Sequence, residues 1–203
     1  MKKYAVLHEP GDIVTLAGTR FVVLDVERRG SLPDSLFLLA LESVGTSEFG
    51  SSNNYAESDL KKAVDEWLED MDKRGLDNAK LIPREIDLTT LDGSGCYGKL
   101  SVKAAPLTLD EARKYADIIP NAERWCWLAT GWSGPSKWDS DLALYVSSNG
   151  DLNYYGCSSS SGIRPALKVP SILFEDSEAG LDLSKIPTDD LLQEIHRRLA
   201  EKA

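Results

Sequence analysis

The chain has 203 residues and carries 23 Lys and Arg against 33 Asp and Glu, a formal net charge of −10. Apolar residues at 42% and charged residues at 28% are ordinary globular proportions, which excludes a disordered or fibrous chain. The longest apolar run, residues 36–41, is far too short to span a membrane, and no block of Lys and Arg is present to meet phosphates. Neither a membrane protein nor a direct nucleic-acid binder is expected.

In chain order, Pro10-Gly11 reads as a turn, residues 21–26 as a β-branched strand and residues 36–41 as a buried strand, with residues 30–34 connecting them. Residues 45–54, rich in Ser, Gly and Asn, read as a surface loop. Leu60, Ala63, Val64, Trp67, Leu68 and Met71 fall on one face of a helix. Ser58 is placed to cap it, Asp59 to complement its positive end and Gly75 to stop it. A second, shorter helix begins at Thr108, where Glu111 completes a capping box and Leu109, Ala112, Tyr115 and Ala116 form the apolar stripe.

Beyond Pro120 the texture changes to short strands. Residues 125–130 form one, with Trp125, Trp127 and Ala129 on a common side, which assigns both tryptophans to the core. Residues 142–147 and 152–155 form a hairpin around Asn149-Gly150, read as a type I′ turn. Residues 158–161 read as a serine loop. Residues 162–169 form a final strand, which Pro165 confines to a sheet edge or a bulge. Residues 175–187 read as an acidic linker, and residues 188–203 as a third helix with a narrow apolar stripe. Much of the excess acid lies in the first helix and in this tail, while the strand-rich part is close to neutral.

Candidate chemistry is sparse. Cys96, Cys126 and Cys157 contain no CxxC pair, so neither a disulfide framework nor a zinc site is expected. Of two histidines, His8 is near the start and His196 lies in the tail, giving no nucleophile–base set. The segment 92–98 lacks the Lys-Ser/Thr and following helix of a phosphate loop, and reads as a turn. The acids at 138–141 supply too few oxygens for calcium. No catalytic residue, metal or cofactor is assigned. What stands out is a set of aromatic and small polar residues between positions 130 and 162: Trp132, Ser133, Trp138, Asn153, Tyr154, Tyr155 and Ser158. Large rigid rings beside adaptable hydrogen-bonding groups are the composition of a binding surface.

A resemblance follows from these residues taken in order. The segment Trp125-Cys-Trp-Leu-Ala-Thr, then Ala143-Leu-Tyr-Val-Ser-Ser-Asn-Gly, then Gly162-Ile-Arg-Pro-Ala-Leu resembles the closing pattern of a bacterial and phage domain of unknown function. That domain is similar in fold to C-type lectins, to the variable proteins of diversity-generating retroelements and to the formylglycine-generating enzyme. Residues 11–16 and 21–24 resemble its opening strands, residues 55–60 and Trp67-Leu68 its first helix, and residues 106–115 the start of its second. The resemblance implies an α+β, C-type-lectin-like fold of short twisted strands and two helices over residues 1–174, followed by the linker and the C-terminal helix. It implies a structural role for Arg164, tied to backbone carbonyls or a carboxylate below the loops. A Glu-Pro-Asn calcium signature and the formylglycine enzyme's cysteine pair have no counterpart here, and Trp125-Cys-Trp-Leu-Ala-Thr lacks the arginine that the family often carries in this segment.

The expected function is a non-enzymatic recognition module of phage or prophage origin, binding a protein or glycan ligand through the 130–162 surface. An assembly protein that forms a homo-oligomer through residues 188–203, or an acidic anti-defence protein, is the alternative. Met1-Lys-Lys is followed by an apolar stretch that His8 and Glu9 cut short, so no signal peptide is read and a cytoplasmic or phage-particle location is expected.

Overall fold

A computed structural model describes residues 8–29, 32–136, 138–174 and Leu192. The acidic linker and all but one residue of the expected C-terminal helix lie outside the described residues.

The chain starts with a tight hairpin of β1 (Ile13–Leu16) and β2 (Thr19–Arg29). Its two central residues, Ala17 and Gly18, both have positive φ, 46° and 76°, the pattern of a type I′ turn. Arg74 steadies this turn by donating to the Ala17 carbonyl at 3.1 Å. β3 (Leu32–Ala40) returns antiparallel to β2, so both strands run further outward than their apolar runs suggest. A short β4 (Thr46–Glu48) lies inside the segment read as loop, and Phe49 beside it is fully buried.

Helix α1 (Asp59–Lys73) forms where the sequence places it. Ser58 Oγ accepts from the Lys61 N–H at 2.9 Å. At the other end Gly75, φ +105°, lets Leu76 N–H reach the Met71 carbonyl at 3.0 Å and Gly75 N–H the Asp72 carbonyl at 2.9 Å. This is a Schellman cap, with Leu76 and Met71 both buried at its base. A separate hairpin follows, β5 (Arg84–Asp87) with β6 (Lys99–Val102), then a two-residue β7 (Ala104–Ala105). Helix α2 (Leu109–Lys114) carries both halves of the capping box, Thr108 Oγ accepting from Glu111 N–H and Glu111 Oε2 accepting from Thr108 N–H. It ends before Ala116, which is exposed rather than part of the buried stripe.

The remaining strands are β8 (Cys126–Gly131), β9 (Leu142–Val146), β10 (Leu152–Gly156), β11 (Ser160–Gly162) and β12 (Ala166–Pro170). One five-stranded sheet has the order β1-β2-β3-β12-β7 and the other β10-β9-β8-β11-β4. β8 and β11 are parallel, the other pairs antiparallel. The protein is therefore a mixed α+β fold, mostly strand, with two helices among the described residues.

Three local expectations give way. Ser160 and Ser161 are paired strand rather than loop. Pro165 sits where the chain crosses from the second sheet to the first, and β12 is then flanked by β3 and β7 rather than at an edge. Proline's missing N–H costs no ladder bond there, because Pro165 precedes β12, and its carbonyl still accepts from the Ala40 N–H at 2.9 Å. At Asn149-Gly150 only the glycine has positive φ, +88°, and Gly150 N–H bonds the Ser147 carbonyl at 3.0 Å. That is an ordinary turn closed by a left-handed glycine, giving a longer loop than a type I′ hairpin.

The core has two compartments on either side of the first sheet. Phe21 and Val23 of β2 face one, with α1 and Trp127, while Val22 and Leu24 face the other, with α2, Leu128 and Leu144. The strand is thus covered on both faces, which explains why its sequence is continuously apolar and not alternating. No helix among the described residues is long and apolar enough to cross a membrane.

Candidate functional site

The second sheet presents the aromatic residues. β10 is an edge strand, and its residues from Leu152 to Tyr155 are all exposed, Tyr154 to 44% and Tyr155 to 50%. Because side chains alternate along a strand, these two tyrosines point to opposite faces. Tyr154 meets Trp132, ring centroids 4.0 Å apart and tilted by 48°. Tyr155 meets Trp125 edge-on at 6.3 Å, and Trp125 stacks on Tyr145 at 4.9 Å with planes 11° apart. Trp132 and Tyr154 therefore form one aromatic cluster and Tyr155, Trp125 and Tyr145 another, on opposite faces of the sheet, not one patch.

Trp125 corrects the sequence reading most. It lies just before β8 and is 46% exposed, whereas Trp127 is 1% exposed. Both are near Tyr145, as alternation requires, but Phe49 covers Trp127 edge-on at 5.6 Å and the Trp127 indole N–H donates to the Ser47 carbonyl at 3.0 Å. Trp125 lies beyond that cover. Beside it is an open cleft of about 340 Å³ lined by Thr46, Glu123, Arg124, Ser148 and Ser160. With Ser161, which also lines it, this cleft joins one flat apolar ring to four hydroxyls, a carboxylate and a guanidinium.

Of the other selected residues, Trp138 is fully exposed in the turn before β9. Ser158 is exposed in the turn after β10, and Asn153 uses its Oδ1 to accept from the Tyr154 N–H at 2.9 Å. Ser133 departs from expectation: it is 2% exposed and does not reach the surface. Its carbonyl accepts from Asn53 instead. Arg164 is buried where the chain crosses between sheets, its Nε donating to the Ala40 carbonyl at 2.7 Å and its Nη1 to the Pro120 carbonyl at 3.0 Å.

Asn53 is the residue that sequence reasoning missed. Its Nδ2 donates to the carbonyls of Ser133 and Leu142 at 2.9 and 3.0 Å, and its Oδ1 accepts from the Tyr97 hydroxyl at 2.6 Å. One buried side chain thus fastens both ends of the loop that carries Trp132 and Trp138. The Ser-Ser-Asn-Asn run reads as exposed loop, and only tertiary contacts reveal the Asn53 side chain as a rivet. Glycine at 131 leaves room for it, since a Cβ there would lie 2.8 Å from the Asn53 side chain.

The thiols follow their burial. Desolvation pushes Cys126 up to about 11 and Cys157 up to about 12, away from the thiolate, while Cys96 is exposed. Among the described residues no group of three or more His, Cys, Asp and Glu is arranged to hold a metal ion. Comparison of the chain with protein-family models, with curated proteins and with solved structures gives no match.

Proposed function

We propose that the protein is a non-enzymatic recognition module, of C-type-lectin-like architecture and phage or prophage origin, which binds a glycan at the Trp125 face of its second sheet. The observation that carries this reading is the exposed Trp125 ring backed by Tyr145 and flanked by the Ser148, Ser160, Glu123 and Arg124 cleft. A pyranose offers one C–H face and a rim of hydroxyls. The indole supplies an apolar platform for the first, and the polar cleft supplies donors and acceptors for the second. What supports the lectin-like reading is that the closing strand β12 pairs with β3, one of the opening strands.

A protein ligand is the second reading, favoured by the exposed edge of β10 with Leu152, Tyr154 and Tyr155. An immobilised oligosaccharide panel decides between them. Retention of a saccharide by the wild type and its loss in Trp125→Ala, with an unchanged melting temperature, supports the glycan reading. Retention unaffected by Trp125→Ala refutes it. Retention of no saccharide, with partner capture that depends on Tyr154 and Tyr155, favours the protein reading.

A further inference from the structure

β10 lies at the edge of the second sheet, and at five residues it is the longest edge strand, against four in β1, three in β4 and two in β7. Its pairing with β9 is regular from Leu152 to Gly156, with no bulge, proline or charged residue inside it. Those are the devices that blunt a free edge, because an open row of N–H and C=O groups is a template for another strand. The bonds flanking β10 show which of its groups face outward. Ser147 N–H donates to the Asp151 carbonyl at 2.8 Å and Cys157 N–H to the Asp141 carbonyl at 2.7 Å, so the odd-numbered residues turn toward β9. Leu152, Tyr154 and Gly156 therefore direct their N–H and C=O groups away from the sheet.

Tyr154 N–H donates to Asn153 Oδ1 at 2.9 Å, and the Gly156 carbonyl accepts from Ser159 N–H at 2.9 Å. The remaining outward groups, Leu152 N–H and C=O, Tyr154 C=O and Gly156 N–H, have no hydrogen-bond partner among the described residues. Charge at the two ends of the strand selects what would pair there. Asp151 stands directly before β10, and Asp141 lies opposite Cys157 just beyond it. Both are exposed, and neither has an ion-pair partner among the described residues. Five strand residues span about 17 Å, so an added strand with a cation at each end meets a carboxylate at each end in either direction of pairing. A second copy is disfavoured. Antiparallel self-pairing would bring Asp151 of each copy to the Asp141 end of the other, on molecules that each carry −10.

We propose that β10 receives an extended peptide segment of a partner protein as an added strand, its backbone pairing with Leu152, Tyr154 and Gly156. The segment carries β-branched or aromatic residues that lie against the exposed Tyr154 and Tyr155 rings, and a Lys or Arg near each end that faces Asp141 and Asp151. Asn153 Oδ1 releases the Tyr154 N–H as the strand docks. This rests on the protein reading of the β10 edge and holds whether or not a glycan binds at Trp125.

An acetylated and amidated heptapeptide, lysine–valine–threonine–valine–threonine–valine–lysine, added to the full-length protein tests the proposal through amide chemical shifts and amide hydrogen exchange. Saturable binding is expected with a Kd on the order of 1 mM. At saturation, exchange at the Leu152 and Gly156 amides should slow at least about tenfold, while Asn153 and Tyr155, already bonded to β9, change little. The same peptide with glutamate at both ends, or N-methylated at its five central residues, should bind at least about tenfold more weakly. Leu152→Pro removes an outward donor and no bond to β9, so it should weaken binding at least about fivefold in a folded variant. Leu152→Ala keeps the donor and should weaken it less. No saturable binding, undiminished binding of the glutamate or N-methylated peptide, or a self-associated protein whose mass falls in Leu152→Pro overturns the proposal. Saturable shifts without slower exchange at Leu152 and Gly156 also overturn it, and leave the protein reading to rest on the tyrosine side chains alone.

Discussion

Replacing Asn53 by Ala tests whether the aromatic loop is held by one buried amide. The side chain is 1% exposed and makes three hydrogen bonds, two of them to backbone carbonyls. After truncation the Leu142 carbonyl keeps its bond from the Trp132 N–H at 2.9 Å, and the Tyr97 hydroxyl lies close enough to solvent to be hydrated. The Ser133 carbonyl loses the donor that Asn53 gave it. Three bonds at a net ~1 kcal/mol each, with some added cost for a buried acceptor left without its donor, predict a loss of about 3–4 kcal/mol. For a domain of this size that lowers the melting temperature by roughly 6–15 °C. Urea unfolding followed by tryptophan fluorescence measures it. Asn53→Asp keeps the shape but points a carboxylate at two carbonyls, so it should cost at least as much. A loss below ~1 kcal/mol in Asn53→Ala, or wild-type stability in Asn53→Asp, refutes the rivet.

Gly162→Ala places a Cβ 2.8 Å from the Trp125 carbonyl and 2.9 Å from Cys126 Sγ. It should destabilise by about 1–3 kcal/mol and shift Trp125, read by urea unfolding and by the fluorescence maximum. Ser58→Ala removes the α1 cap and should cost about 1 kcal/mol in the same assay, rescued by Ser58→Asp. For Asp25, burial raises the pKa, but hydrogen bonds from Tyr115 and Lys114 outweigh it and the net shift is downward; for Glu27, hydrogen bonds from Lys168 and Ser35 lower it. Both carboxylates thus stabilise the fold fully above their unfolded values, near ~4, and lose that contribution as pH falls through their lower folded values. Asp25→Asn with Glu27→Gln should flatten the acid limb of the stability profile, and an unchanged limb counts against the pairing. Binding at the Trp125 face should change less than about threefold between 0.1 and ~0.5 M salt, because only Glu123 and Arg124 bring charge to the cleft; a steep salt slope would instead implicate the acidic helix.

Legibility in the sequence followed the range of the interactions. Helix α1 and the capping box of α2 were readable because caps and apolar stripes are local, fixed within a few residues. Strands β8, β9 and β10 were readable from length and flanking turns. Strands β4, β5, β6 and β7 were not, because two to four residues such as Arg84-Glu-Ile-Asp become a strand only through a partner distant in sequence. The turn signal misled for a related reason. Asn149-Gly150 matches the preferred residues, yet the two-residue turn with both φ positive is Ala17-Gly18, where the β1–β2 register forces an alanine into the left-handed region. In the candidate site, composition found the tyrosines of β10 and Trp132, but period-two alternation could not distinguish Trp125 from Trp127. Alternation gives the side of a sheet and not how far its cover extends, and that limit depends on Phe49, far away in the chain.

The charge layout explains why a strongly acidic chain would recognise a ligand without using most of its charge. Along α1 the acids are partly neutralised on the helix itself: Lys61 pairs with Asp65, Lys62 with Asp59 and Arg74 with Asp70. Exposed pairs of this kind contribute ~0–1 kcal/mol each, so their main effect is a hydrated, self-repelling face that keeps molecules apart. The second sheet's exposed edge has the opposite character. Leu152, Asn153, Tyr154 and Tyr155 carry no charge, and the adjoining cleft balances one carboxylate against one guanidinium. Contact there gains from covering ring faces and loses little to desolvating ions, whereas the same contact on α1 would require stripping water from several carboxylates. Under the proposed reading, this cost would direct association to the uncharged sheet edge, and the acidic helix would oppose it elsewhere.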